Sequence, residues 1–402
     1  MSAGAEREAR VRRLLVGVPV PDQAGARERG WSTVEAAFAD REPVPRGPAR
    51  ARRIAVAAVA ALAAGAFALT PAGADVREWI ADAISPGEPT ARPLLDSLPA
   101  PGSLLVETPG AVWVQHDDGG RRLLDGYDHA TWSPRGLFVA ASDGRELVAV
   151  DPLGEVHWTL TAPGHIRAID WSGGEGYRVA YVSDRSLRVV AGDGTGDRLV
   201  RPALGSRAIA WRPEEDQALA RHELAFVDAR GRVSLLDTDR DRLLWRSAPY
   251  GSVEALQWSA DGRTLLISGS GFTSLVGAGG EPVAKGVGPG ATGAALAPDG
   301  ETLAAVLPTA RGGAELALIH ADRPTDAPQV LYRAARAGPS SFGAPSFSPD
   351  GRWVLLPWQA ADQWLFVRTA GHGVIAVADI SRQFDPDRRG PASFPEVDGW
   401  CC

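Results

Sequence analysis

A short cassette recurs through this chain and limits what it can fold into. It runs small–apolar–Trp–Ser–Pro/Ala–Asp–Gly, and an apolar stretch follows it. Clear copies are Ala130 to Gly136, Ala255 to Gly262, Ala295 to Gly300 and Ser346 to Gly351; worn copies are Ala168 to Gly174 and Ala208 to Pro213. The large apolar residue of each copy stands at 132, 171, 211, 258, 296 and 347, which leaves gaps of 39, 40, 47, 38 and 51 residues.

Each interval carries strand-like runs separated by turn residues. After Asp261-Gly262 come Thr264 to Ile267, Phe272 to Val276 and Glu281 to Ala284, with Gly277 to Gly280 between the last two. The next interval repeats this with Thr302 to Leu307, Glu315 to Ile319 and Gln329 to Tyr332. A unit of about 40 residues with four strands predicts an all-β protein, a β-propeller. The Asp-Gly pair supplies the positive φ that a tight hairpin needs, and Pro presets the turn before it. The large apolar residues are expected as structural anchors wedged between blades: Trp132, Trp171, Trp211, Trp258, Leu296 and Phe347.

The two ends predict how the ring closes. Three strand candidates precede the first full cassette: Ser103 to Glu107, Val112 to Gln115 and Arg121 to Leu124. They look like a blade lacking its innermost strand. Pro395 to Cys401, with Trp400 as a seventh anchor, could supply it. Six cassettes plus one blade shared between the termini give seven blades, and six is the alternative. Sharing a blade leaves no open sheet edge at the seam.

The Ser-Pro-Asp-Gly copies resemble the repeats of TolB-like propellers and, more loosely, of WD40-like repeat proteins, over residues 102–402. The resemblance implies the propeller fold. The Gly-His…Trp-Asp pairing that marks true WD repeats is absent, and nothing here matches the α/β domain that precedes the TolB propeller. No Gly-x-Ser-x-Gly elbow of an attached hydrolase domain occurs.

Ahead of the repeats the chain changes character. Residues 54–74 carry no charge, long enough for one transmembrane helix through ~30 Å of hydrocarbon. Arg46, Arg50, Arg52 and Arg53 precede the run and Asp75 follows it, which predicts a cytoplasmic N-terminus and an extracytoplasmic propeller in the cell membrane. A cleaved signal at Ala72-Gly73-Ala74 and a buried helix are the alternatives. Residues 1–53 read as a polar cytoplasmic tail with short helices, one opened by a Ser32/Glu35 capping box. Residues 75–101 read as a juxtamembrane helix, with Trp79 and Ile80 on one face, and a Pro-rich spacer.

No constellation of reactive groups stands out. None of the seven histidines pairs at metal-ligand spacing, and His157 and His165 read as exposed. Asp237, Asp239 and Asp241 begin like a calcium loop, but Arg242 and Ala248 occupy its glycine and glutamate places. No metal, cofactor-binding or catalytic residue is assigned, and the chain reads as a non-enzyme. A net charge of −7 argues against nucleic acid as a partner. Cys401 and Cys402 read as a small pair finishing the closing strand, a vicinal disulfide or an intermolecular bridge being the alternatives. The expected function is a membrane-anchored, non-catalytic binding or scaffold module with a protein or small-molecule ligand on one propeller face. Loops at Arg212 to Arg221, Ala310 to Ala314 and Pro339 to Gly343 are candidates by length. The alternatives are a transmembrane regulator like an anti-sigma factor, and a propeller enzyme acting on a sugar or lactone. The enzyme reading requires acidic or histidine side chains converging on the channel.

Overall fold

The computed structural model describes residues 91–402, apart from 174–175, 214–220, 270, 286, 288–289, 325 and 386–391. The expected cytoplasmic tail 1–53, the expected transmembrane helix 54–74, the helix expected after it and most of the loop Arg212 to Arg221 lie outside the described residues. Among the described residues no helix is long and apolar enough to cross a membrane.

The described strands form seven four-stranded antiparallel sheets, the blades of a propeller. The inner strands are β4 (His129–Trp132), β8 (Ile166–Trp171), β12 (Leu204–Trp211), β16 (Val253–Trp258), β20 (Gly293–Leu296), β24 (Ser346–Phe347) and β28 (Glu396–Cys401). They touch in sequence around a ring, and β28 meets both β24 and β4. Blade 1 is the shared one. Its inner strand β28 pairs antiparallel with β1 (Ser103–Thr108), aligning Leu104 with Trp400, and β1 leads to β2 (Ala111–His116) and β3 (Arg121–Asp125). Blades 2 to 7 follow in chain order.

The middle strands read as unbroken apolar runs because both of their faces are covered by neighbouring blades. In blade 5 Leu265, Leu266 and Ile267 are all buried. Outer strands have one neighbour and a wet face, so Arg242–Pro249 is mostly exposed. The cassette explains how a blade begins. The Ser259 N–H donates to Thr264 O at 2.8 Å, and its hydroxyl accepts from the Thr264 N–H at 3.0 Å and donates to Asp261 at 2.6 Å. Ser348 repeats the pattern with Trp353 and Asp350.

Six of the seven anchors are the last residue of their inner strand, and Trp400 is the last but one of its own. Trp171, Trp211, Trp258, Leu296, Phe347 and Trp400 are buried, and Trp132 is half-buried. Two indoles tie their blade to the preceding one: Trp211 Nε1 donates to Asp170 O at 3.1 Å and Trp258 Nε1 to Ala210 O at 3.3 Å.

Two local expectations change. Cys401 and Cys402 are joined as a vicinal disulfide rather than standing as an unbonded pair. They lie where β28 runs out at the end of the closing strand, against the Gly136 turn of blade 2. The described part of the Pro-rich spacer does not stand clear of the propeller. The Arg92 N–H donates to Ala376 O, the Ala378 N–H to Arg92 O and the Leu98 N–H to Asp117 O. Leu95, Leu98 and Ala100 are buried in the cluster of Trp364, Phe366, Phe384 and Trp400. Apolar residues spaced among prolines suit an extended strap that covers the seam between blades 7 and 1.

Candidate functional site

The channel end where the inner strands begin is the polar concavity of the molecule. A cavity of about 220 Å³ there is lined by Glu107, His129, Arg167, Arg207, Glu254, Glu396 and Asp398 together with small apolar residues. These groups come from five blades. Arg167, Arg207, Glu254 and Glu396 each stand four residues before their blade's anchor. In these four blades that position faces the lumen, so one place in the repeat gathers its side chains at one mouth.

Several of the carboxylates are held by main chain across a blade boundary. Glu107 accepts from the Ala130 N–H at 2.6 Å and meets His129 Nδ1 at 3.3 Å, which raises the His129 imidazole above its ordinary value. Deeper in, Asp170 accepts from the Trp171 N–H at 3.0 Å and from the Trp211 N–H at 2.6 Å. Gln257 does the same job two boundaries further on, accepting from the Leu296 N–H at 2.9 Å. Asp170 is pushed up to about 7, chiefly because the ring walls remove it from bulk solvent, against the pull of its two N–H donors. Asp398, bonded to Thr131, is raised well above the usual carboxylate range by the same removal and by neighbouring Glu107, Asp170 and Glu396. Its surface stays open to the lumen, so the wall around it, not a plug of side chains, sets that environment.

Acidic and histidine side chains therefore do converge on the channel, the condition set above for an enzyme. Among the described residues no group of His, Cys, Asp and Glu is arranged to hold a metal ion. The anchors sit at the opposite ends of the inner strands and do not line this mouth. His157 and His165 are exposed and away from it. Asp237 is engaged by Arg240 at 2.8 Å as part of a strand turn. Of the long loops, Ala310 to Ala314 caps a hairpin, and Pro339 to Gly343 is pinned by Phe342 stacking on Trp358 at 5.3 Å. Loop length is a poor guide here. The usable sequence signal is the charge four places before Trp171, Trp211, Trp258 and Trp400.

No protein-family model matches the chain, and no curated protein matches it in sequence. Among solved structures it is similar to the C-terminal WD40 domain of Sif2, at 13% identity and a TM-score of 0.51 over 69% of this chain and 82% of that one. It is also similar to KlHsv2 with loop 6CD replaced by a Gly-Ser linker, at 10% identity and a TM-score of 0.50 over 68% and 93%. Kuenenia stuttgartiensis hydrazine synthase is matched at 17% identity and a TM-score of 0.45 over 60% and 76%. The first likeness is to a WD40 domain, and the first two bear on the fold alone.

Proposed function

We propose that the chain is a membrane-anchored, TolB-like propeller, held by residues 54–74, whose extracytoplasmic ring is a non-catalytic binding module. The channel mouth takes a ligand that carries both charges, such as a zwitterion or the charged end of a peptide. The observation behind this reading is the polar cavity of about 220 Å³ that Arg167 and Arg207 line together with Glu254, Glu396 and Asp398. A concave site with few, convergent polar groups is the usual form of a specific ligand site. Both signs in one mouth select against a simple anion or cation. The test is a thermal-shift panel of amino acids and short peptides on the full chain. A zwitterion is expected to raise Tm, and Arg167→Ala/Arg207→Ala to abolish the rise. A panel without any shift removes the reading. The topology is tested by adding protease to intact spheroplasts, which is expected to digest the propeller; a protected propeller overturns the placement.

One observation favours a second reading, an enzyme acting on a sugar or lactone. Asp170 is raised to about 7, the range of a general acid, beside an acidic neighbour. Hydrolysis of aryl glycosides or lactones that disappears in Asp170→Asn would replace the binding role with a catalytic one.

A further inference from the structure

Blade 2 breaks the repeat at the turn between its first two strands. In the other clear copies the residue before the turn glycine is Asp261, Asp299 or Asp350, and the residue after it is Arg263, Glu301 or Arg352. Blade 2 has Arg135 and Leu137 in these places, and Leu137 leaves 61% of its surface exposed. The turn keeps its two serine-to-strand bonds and loses only the serine-to-aspartate one. The Ser133 N–H donates to Phe138 O at 2.8 Å, and the Phe138 N–H donates to Ser133 Oγ at 3.0 Å. The exchange therefore gives up a bond of the hairpin and adds none of those seen in the other copies. It changes the surface the hairpin presents.

That surface is the rim of a cavity of about 300 Å³ between blades 2 and 3, walled by five rings: Phe138, His157, Trp158, Trp171 and Tyr177. The walls are fixed. Phe138 stacks on Trp171 at 6.3 Å and 20°, and His157 meets Phe138 edge-on at 4.9 Å. Trp158 is locked by its indole N–H, which donates to Gly192 O at 2.9 Å across the blade boundary. Between blades 4 and 5 the corresponding slot is filled by the protein itself. There the Arg212 guanidinium lies 5.6 Å from the Trp258 ring centre and donates to Gly262 O at 2.6 Å. Among the described residues the slot of blades 2 and 3 stays open as this cavity, with Arg135 and Leu137 in its lining. His157 is exposed at its edge, where it meets the Phe138 ring edge-on. The walls come from turns and strand ends that follow the inner strands, so the cavity opens on the face opposite the charged mouth.

We propose that this cavity binds a planar aromatic ring with one hydrogen-bonding edge, indole-like or phenol-like, either free or carried on a peptide. Rings stack and meet edge-on best with other rings, and a pocket walled by rings on several sides selects flatness. The His157 imidazole supplies the polar partner for the ring's N–H or O–H. Leu137 covers the bound ring where other blades would place a charge.

The test is saturation-transfer NMR on the full chain, a ligand-observed method suited to a protein with 13 tryptophans of its own. The probes are indole and acetyl-Gly-Trp-Gly-amide, with cyclohexanol as the non-planar control and naphthalene as the planar ring without a polar edge. Saturable binding of indole or the peptide is expected, and the tighter of the two identifies the source of the ring. Leu137→Arg is expected to weaken it at least tenfold without moving Tm, since Arg263 and Arg352 occupy the same place in two other blades. His157→Ala is expected to weaken indole and leave naphthalene unaffected. No saturable binding of either indole or peptide, cyclohexanol binding as tightly as indole, or an unchanged affinity in Leu137→Arg would each overturn the proposal. Arg167→Ala/Arg207→Ala is expected to leave indole binding intact, so this site and the channel mouth stand or fall separately.

Discussion

Asp170 holds two backbone N–H groups from two blades, yet its position inside the ring raises it from an ordinary 3.8 to about 7. Asp398 is raised in the same direction. The folded chain therefore keeps protons that the unfolded chain releases near pH 4. The stability this gives is complete below about 4 and is lost as pH rises through about 7. Tm is expected to be several degrees higher at pH 5 than at pH 8. The difference should shrink in Asp170→Asn and shrink further in Asp170→Asn/Asp398→Asn; an unchanged difference in the double variant would assign the pH dependence elsewhere. Glycines show a comparable split by surroundings. Gly262 and Gly110 both have positive φ, at +65° and +75°. A Cβ on Gly262 would lie 2.2 Å from Pro213 O, whereas one on Gly110 meets nothing within 4 Å. Gly110→Ala is expected to cost only the left-handed backbone, about 1–2 kcal/mol. Gly262→Ala should cost clearly more in urea unfolding, because the neighbouring blade's turn must also move.

At the scale of the element, the unit is a strand, its anchor and the serine turn after it. Ser259 is buried, and its hydroxyl satisfies the Thr264 N–H. Ser259→Ala leaves that donor without a partner and is expected to destabilise by about 1–3 kcal/mol, read from the urea midpoint. The fold was legible in the sequence because this unit is local: anchor, serine, turn and glycine lie within eight residues and recur. The blade shared between the termini was legible for the same reason, since Val397 to Trp400 is itself a worn copy. The sites were not legible in the same way. The ring-walled cavity draws Ser133 to Phe138, His157, Trp158, Trp171, Tyr177 and Gly192 from two blades, and only their stacking brings these segments together. Trp171 ends its inner strand as the cassette places it, and its ring also forms a wall of this cavity. The strap of Leu95, Leu98 and Ala100 was hidden by its prolines, which suggest a free spacer until a seam exists for the leucines to cover.

A ring has one seam, and this chain reinforces it from several directions. Trp400 of β28 meets Phe366 of blade 7 edge-on at 5.8 Å, and Phe384 lies 5.0 Å from Trp364 and 6.0 Å from Trp113 of blade 1. Arg121 lies over the Phe384 ring at 4.8 Å and donates to Gln383 O at 2.9 Å and to Leu95 O at 3.1 Å, joining the strap, the last blade and the first. Removing residues 396–402 would take away the inner partner of β1 and leave Leu104 and Val106 on an open sheet edge. Such a chain is expected to self-associate in size-exclusion chromatography, and its β1 amides to lose their protection against hydrogen exchange. Trp400→Ala keeps the strand's backbone and removes only the wedge, with an expected loss of about 3–5 kcal/mol. It should therefore stay monomeric and protect β1 at a lower stability. If the truncated chain behaved like Trp400→Ala, with β1 still protected, closure by the tail would not be what holds the ring together, and the strap would have to do it alone.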